Sequence, residues 1–83
     1  MKLLYFAWLR TRIGVAGEDL PRPPEVCDVA SLLAWLGTRG PGYAAALSDP
    51  ALVRIAVNQV YARADHPVVD TDEVALFPPV TGG

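Results

Sequence analysis

One cysteine, Cys27, excludes an internal disulfide framework and any zinc site built from cysteine ligands. A single histidine, His66, leaves a metal without a second soft ligand. Lysine occurs once, at Lys2, and the remaining cations are Arg10, Arg12, Arg22, Arg39, Arg54 and Arg63. These are scattered and outnumbered by acids, giving a formal charge of -2. The concentrated basic footprint of a nucleic-acid binder is therefore missing. No apolar run approaches ~18 residues, so no membrane-spanning helix is expected. The N-terminal residues lack the long apolar core of a secretory signal, and the expected location is the cytoplasm. What is abundant is apolar: 52% of the 83 residues are hydrophobic, too many for a disordered chain. The length fits one domain, 1–83, with one small core.

Lys2 to Leu9 reads as a strand that is apolar on both faces, with Leu3, Tyr5, Ala7 and Leu9 on one side. Leu4, Phe6 and Trp8 lie on the other. So short a chain can hardly cover both faces of a sheet, so the second face is expected to meet a partner. Glu18 to Leu20 is a short edge strand, limited by Pro21, Pro23 and Pro24. Asp28 caps a helix whose stripe is Val29, Leu32, Leu33 and Leu36, and Gly37 and Gly40 offer stops. Tyr43 to Leu47 adds a helical turn. Leu52 to Val57 and Val60 to Arg63 form a hairpin about Asn58-Gln59, and Glu73 to Phe77 is the last strand. One main helix on one sheet gives a two-layer α+β domain. Its core is expected where the helix stripe meets Leu3, Tyr5, Ala7 and Leu9.

Catalytic patterns are weak. Gly40-Pro41-Gly42-Tyr43-Ala44-Ala45 fits a dinucleotide fingerprint formally, but it follows a helix and contains a proline, so a helix stop and turn explain it better. Asp70, Asp72 and Glu73 read as a solvated turn. His66, before Pro67, has no nucleophile or orienting group named by the sequence.

The C-terminal run Phe77-Pro78-Pro79-Val80-Thr81-Gly82-Gly83 is the unusual feature. Pro78-Pro79 ends sheet pairing, because neither residue has an N–H to donate. The tail 78–83 then extends roughly 20 Å at ~3.3 Å per residue. Gly82 and Gly83 lack Cβ atoms and fit a narrow channel. The tail thus offers a carboxylate on a stalk to another protein's active site. Adenylation there would give an acyl adenylate open to a sulfur or amine nucleophile.

The chain resembles the small, sulfur-carrying subunits of molybdopterin synthase, which are ubiquitin-like β-grasp proteins. The resemblance rests on Leu4-Tyr5-Phe6-Ala7 with Arg10, on Ala56-Val57-Asn58-Gln59, and on Asp65-His66-Pro67. It is strongest in Asp72-Glu73-Val74-Ala75-Leu76-Phe77-Pro78-Pro79-Val80-Thr81-Gly82-Gly83. The chain departs from the pattern at Trp8, at Asp70-Thr71-Asp72 and in the proline-rich stretch Glu18 to Glu25.

The resemblance implies a mixed sheet packed on one main helix and a non-catalytic role. Gly83 would be adenylated by an activating enzyme that uses ATP and Mg, then converted to a thiocarboxylate with sulfur from a donor; Gly82 is its steric companion. The tail would enter the large subunit of the synthase, which supplies the catalytic groups, in a 2+2 heterotetramer. The resemblance also implies partner contacts at Phe6, Arg10, Tyr61, Phe77, Pro78, Pro79, Val80 and Thr81, and no cofactor bound by this chain. Two alternatives share the activation chemistry: a sulfur carrier for another pathway, such as thiamin, and a ubiquitin-like protein modifier.

Overall fold

A computed structural model describes residues 1–79; Val80, Thr81, Gly82 and Gly83 lie outside the described residues. The elements are β1 (Lys2–Tyr5), α1 (Ala7–Ile13), β2 (Gly17–Asp19), α2 (Val29–Gly37), α3 (Pro41–Ala46), a 3-10 turn (Pro50–Leu52), β3 (Arg54–Val57), β4 (Val60–Tyr61) and β5 (Glu73–Phe77). The strands form one mixed sheet in the order β2-β1-β5-β3-β4. β1 and β5 run parallel at its centre, and the other pairings are antiparallel. The expected mixed sheet packed on a main helix is present, with two further short helices.

The main helix starts where its sequence says it should. The Asp28 carboxylate accepts from the Ser31 N–H at 2.8 Å, and the Ser31 hydroxyl accepts from the Asp28 N–H at 3.0 Å. This reciprocal box satisfies two N–H groups at the helix start. Val29, Leu32 and Leu36 are buried against Leu3, Tyr5, Val74, Leu76, Ile55 and Val57 from the sheet. Leu33 is only half-buried, because it faces the sheet's margin rather than its centre.

The first strand is shorter than expected. It stops at Tyr5, and Ala7 takes φ 55 as the chain turns into α1. Ala7 is consequently exposed rather than in the core. Trp8 packs against the core instead of joining the second face, and Leu9 is buried from a helix. The pattern explains the helix in retrospect: Leu9 and Ile13 are four apart, and Arg10 and Arg12 suit its C-terminal end. Gly14, at φ 100, ends it in the left-handed conformation and donates to the Arg10 carbonyl at 2.8 Å. α3 starts with Pro41 at its first turn and packs on α1. A Cβ at Gly42 would lie 2.5 Å from the Arg12 carbonyl oxygen, so only glycine permits that approach.

Asn58 and Gln59 both have positive φ, 51 and 69, which gives the β3–β4 hairpin a mirror-type two-residue turn. Asn58 is held there by side-chain bonds to the Asp72 carboxylate (2.9 Å) and from the Glu73 N–H (3.0 Å). Asp72 also accepts from the Val69 N–H, and Asp70 from the Arg22 N–H, so these acids close turns. Gln59 has no such compensation among the described residues. Gln59→Gly is expected to stabilise the fold by about 0.5–1 kcal/mol, the relief of left-handed strain less the added freedom of the unfolded chain. Equilibrium urea unfolding checks this.

Candidate functional site

β5 lies at the centre of the sheet, so the chain leaves the sheet between its neighbours rather than along an edge. At that end Phe77 is in register with Arg54 of β3. On its other side the Phe6 N–H donates to the Leu76 carbonyl at 3.1 Å, one residue past the last β1 pair, Tyr5 and Leu76. Pro78 and Pro79 follow Phe77 outside any strand and are half-buried.

Alternation places Leu3, Tyr5, Val74 and Leu76 toward the helices, and they are buried. Leu4, Ala75, Ala56 and Tyr61 form a row across the opposite face. The row is small at its centre and aromatic at one end. Tyr61 is 74% exposed and its ring centroid lies 5.8 Å from that of Phe77. Phe6 is 47% exposed. The structure therefore brings Tyr61 and Phe77 together, with Phe6 exposed just past the same end of β1 and Pro78 and Pro79 following Phe77. Arg10 is exposed on α1, in the helix that follows Phe6, and makes no ion pair among the described residues. The expected roles of Val80, Thr81, Gly82 and Gly83 lie outside the described residues.

Among the described residues, no group of three or more His, Cys, Asp and Glu is placed to hold a metal, and no helix is long and apolar enough to cross a membrane. Exposed aromatics beside the end of β5 suit recognition by another protein.

One cluster was not legible in the sequence. Glu18 of β2 accepts from the hydroxyls of Tyr5 (2.7 Å) and Tyr43 (2.6 Å), and from the Arg39 guanidinium (2.8 Å). Arg39 also stacks over Trp35 and Tyr43. The cluster ties the β2 edge to β1 and α3. Burial alone would raise the Glu18 pKa, but the hydrogen bonds from Tyr43, Tyr5 and Arg39 together outweigh it and hold the carboxyl below its ordinary value. Burial, then the Glu18 contact, pushes the Tyr5 phenol upward. A lowered carboxyl pKa contributes stability above the unfolded-state value that is lost as pH falls through the folded-state value. Glu18→Gln is expected to cost about 1–3 kcal/mol at neutral pH. Its difference from the unsubstituted chain should shrink in acid below the ordinary glutamate range. Thermal melts of both chains from neutral to acid pH check this.

With this geometry, the comparisons with known proteins decide the family. Residues 3–83 match the ThiS family. The chain belongs to that family. Across its full length this ThiS-family chain is 39% identical to the molybdopterin synthase sulfur carrier subunit of Escherichia coli (strain K12), covering 99% of that protein. A solved structure described as a putative molybdopterin converting factor subunit 1 from Pyrococcus furiosus superposes with a TM-score of 0.79 at 31% identity, over 95% of each chain. The small archaeal modifier protein 1 of Methanosarcina acetivorans is also similar, with a TM-score of 0.72 at 26% identity, over 99% of this chain and 94% of that one. The ThiS-family chain has the ubiquitin-like β-grasp fold of these neighbours.

Proposed function

We propose that the protein is the sulfur carrier of molybdopterin synthase, in the cytoplasm. The observation that carries this reading is the full-length 39% identity to a sulfur carrier subunit, in a chain whose last strand ends at Phe77 and whose sequence continues through Pro78-Pro79 to Gly82-Gly83. The C-terminal carboxylate of Gly83 attacks the α-phosphate of ATP on an activating enzyme, releasing pyrophosphate. A sulfur nucleophile then displaces AMP and leaves a thiocarboxylate. ATP and Mg belong to the activating enzyme. The large subunit of the synthase receives the tail, supplies the catalytic groups and moves the sulfur into the dithiolene of molybdopterin. Two of each subunit make the assembly, and this chain acts as one ubiquitin-like domain with the tail 78–83.

The face bearing Phe6, Tyr61 and Phe77, with Arg10 beside it, is the docking surface for the large subunit. Aromatics with an arginine are the usual composition of an interface hot spot. Phe6→Ala and Phe77→Ala are each expected to weaken association by more than ~1 kcal/mol with little change in melting temperature. Calorimetric titration against the large subunit tests the reading, alongside a single-turnover assay of sulfur delivery by the loaded carrier. A destabilised chain that binds normally once folded would return these residues to the core.

The likeness to a small archaeal modifier protein supports a second reading, attachment of Gly83 to lysines of other proteins by the same activation chemistry. Conjugates that survive denaturation in cell lysate would favour it.

A further inference from the structure

A groove of about 700 Å³ runs beside the sheet margin, between α2 and the β3–β4 hairpin. Its apolar lining includes Val29 and Leu33 of α2, and Tyr61 and Phe77 of the sheet. Its charged lining is Arg54 and Arg63, and no acidic residue lines it. Their shared groove makes this pair unusual. Ala56 faces Tyr61, and the Ala62 N–H donates to the Ile55 carbonyl at 3.0 Å. Arg63 follows two residues after β4 ends at Tyr61 and lines the same groove as Arg54, the first residue of β3. Two like charges lining one groove repel each other. Neither guanidinium has an ion pair or side-chain hydrogen bond among the described residues. Asp49, close in sequence, spends its carboxylate on the Ala51 N–H. In a chain of net charge -2, this is a local concentration of positive charge with no internal reason.

Arg54 is also the register partner of Phe77, so the arginine pair is continuous with the end of the sheet from which the tail leaves. A protein that receives the tail at this end of the sheet would lie next to this margin. We infer that the large subunit presents an acidic segment here, with a carboxylate between Arg54 and Arg63 and an apolar side chain over Val29 and Leu33. The inference rests on the proposed function for its partner, and on the groove and the two arginines that line it for its chemistry. Two planar guanidinium groups suit a shared carboxylate better than two lysines would.

The test uses the full chain and the large subunit. The double variant Arg54→Gln/Arg63→Gln is expected to weaken binding at least about ten-fold and to flatten the dependence of affinity on salt. Its melting temperature should hold or rise, because a like-charge pair has been removed. Loading of sulfur onto Gly83 reports separately that the tail is intact. Binding unchanged within about two-fold, with an unchanged salt dependence, would overturn the inference. Tighter binding would assign the arginines to the chain's own carboxylate end and overturn it too. Failure of the unsubstituted chain to bind would overturn the proposed function, and the inference with it.

Discussion

Truncation of Leu32 to alanine is expected to remove about 2–5 kcal/mol of stability. Leu32 is fully buried in the middle of α2, where the helix stripe meets Leu3, Tyr5, Val74 and Leu76. A chain of this length has roughly 4–12 kcal/mol in total, at ~0.05–0.15 kcal/mol per residue. The melting temperature should therefore fall by more than about 10 °C. Leu33→Ala is the internal control. Leu33 keeps part of its surface in the groove, so its truncation should cost only about 1 kcal/mol. Equal losses at the two positions would mean that the helix faces the sheet through a different stripe.

Removal of Gly83 is expected to abolish sulfur loading while the melting curve stays unchanged. The reacting carboxylate would move to Gly82, one residue short of the activating enzyme's reacting centre. The fold should not respond, since the core is assembled from residues 1–76. Gly82→Ala should show a graded effect, because an added methyl obstructs a narrow channel without removing the carboxylate. Full loading of the truncated chain would show that the terminal residue is not the acceptor.

Much of this architecture was legible because local and global signals agree. Asp28 with Ser31, the stripe Val29, Leu32 and Leu36, and the alternating burial of Glu73–Phe77 each point to one structure. For the chain end, the structure bears only on Pro78 and Pro79, which follow β5 outside any strand as their missing N–H groups dictate. The misreadings came where a short apolar run fits two periods. Lys2 to Leu9 alternates like a strand, yet Leu9 and Ile13 share a helix face, and only Gly14 in the left-handed conformation decides where the helix ends. Ala7 was misplaced by the same ambiguity. The Glu18 cluster and the Arg54–Arg63 pair were hidden, because each joins elements whose meeting is set by the sheet order. Glu18 and Tyr43 are 25 residues apart in sequence, and no spacing pattern links them.

As a sulfur carrier, this chain is expected to hold sulfur on its own C-terminus. The measurement that tests it most directly is the intact mass of the full chain after incubation with ATP, the activating enzyme and a sulfur donor, with fragmentation to place any change. The expected result is a gain equal to the exchange of one oxygen for one sulfur, located on Gly83 and absent when ATP is withheld. An unchanged mass with a competent activating enzyme, or a sulfur adduct at Cys27 with Gly83 unmodified, would contradict it.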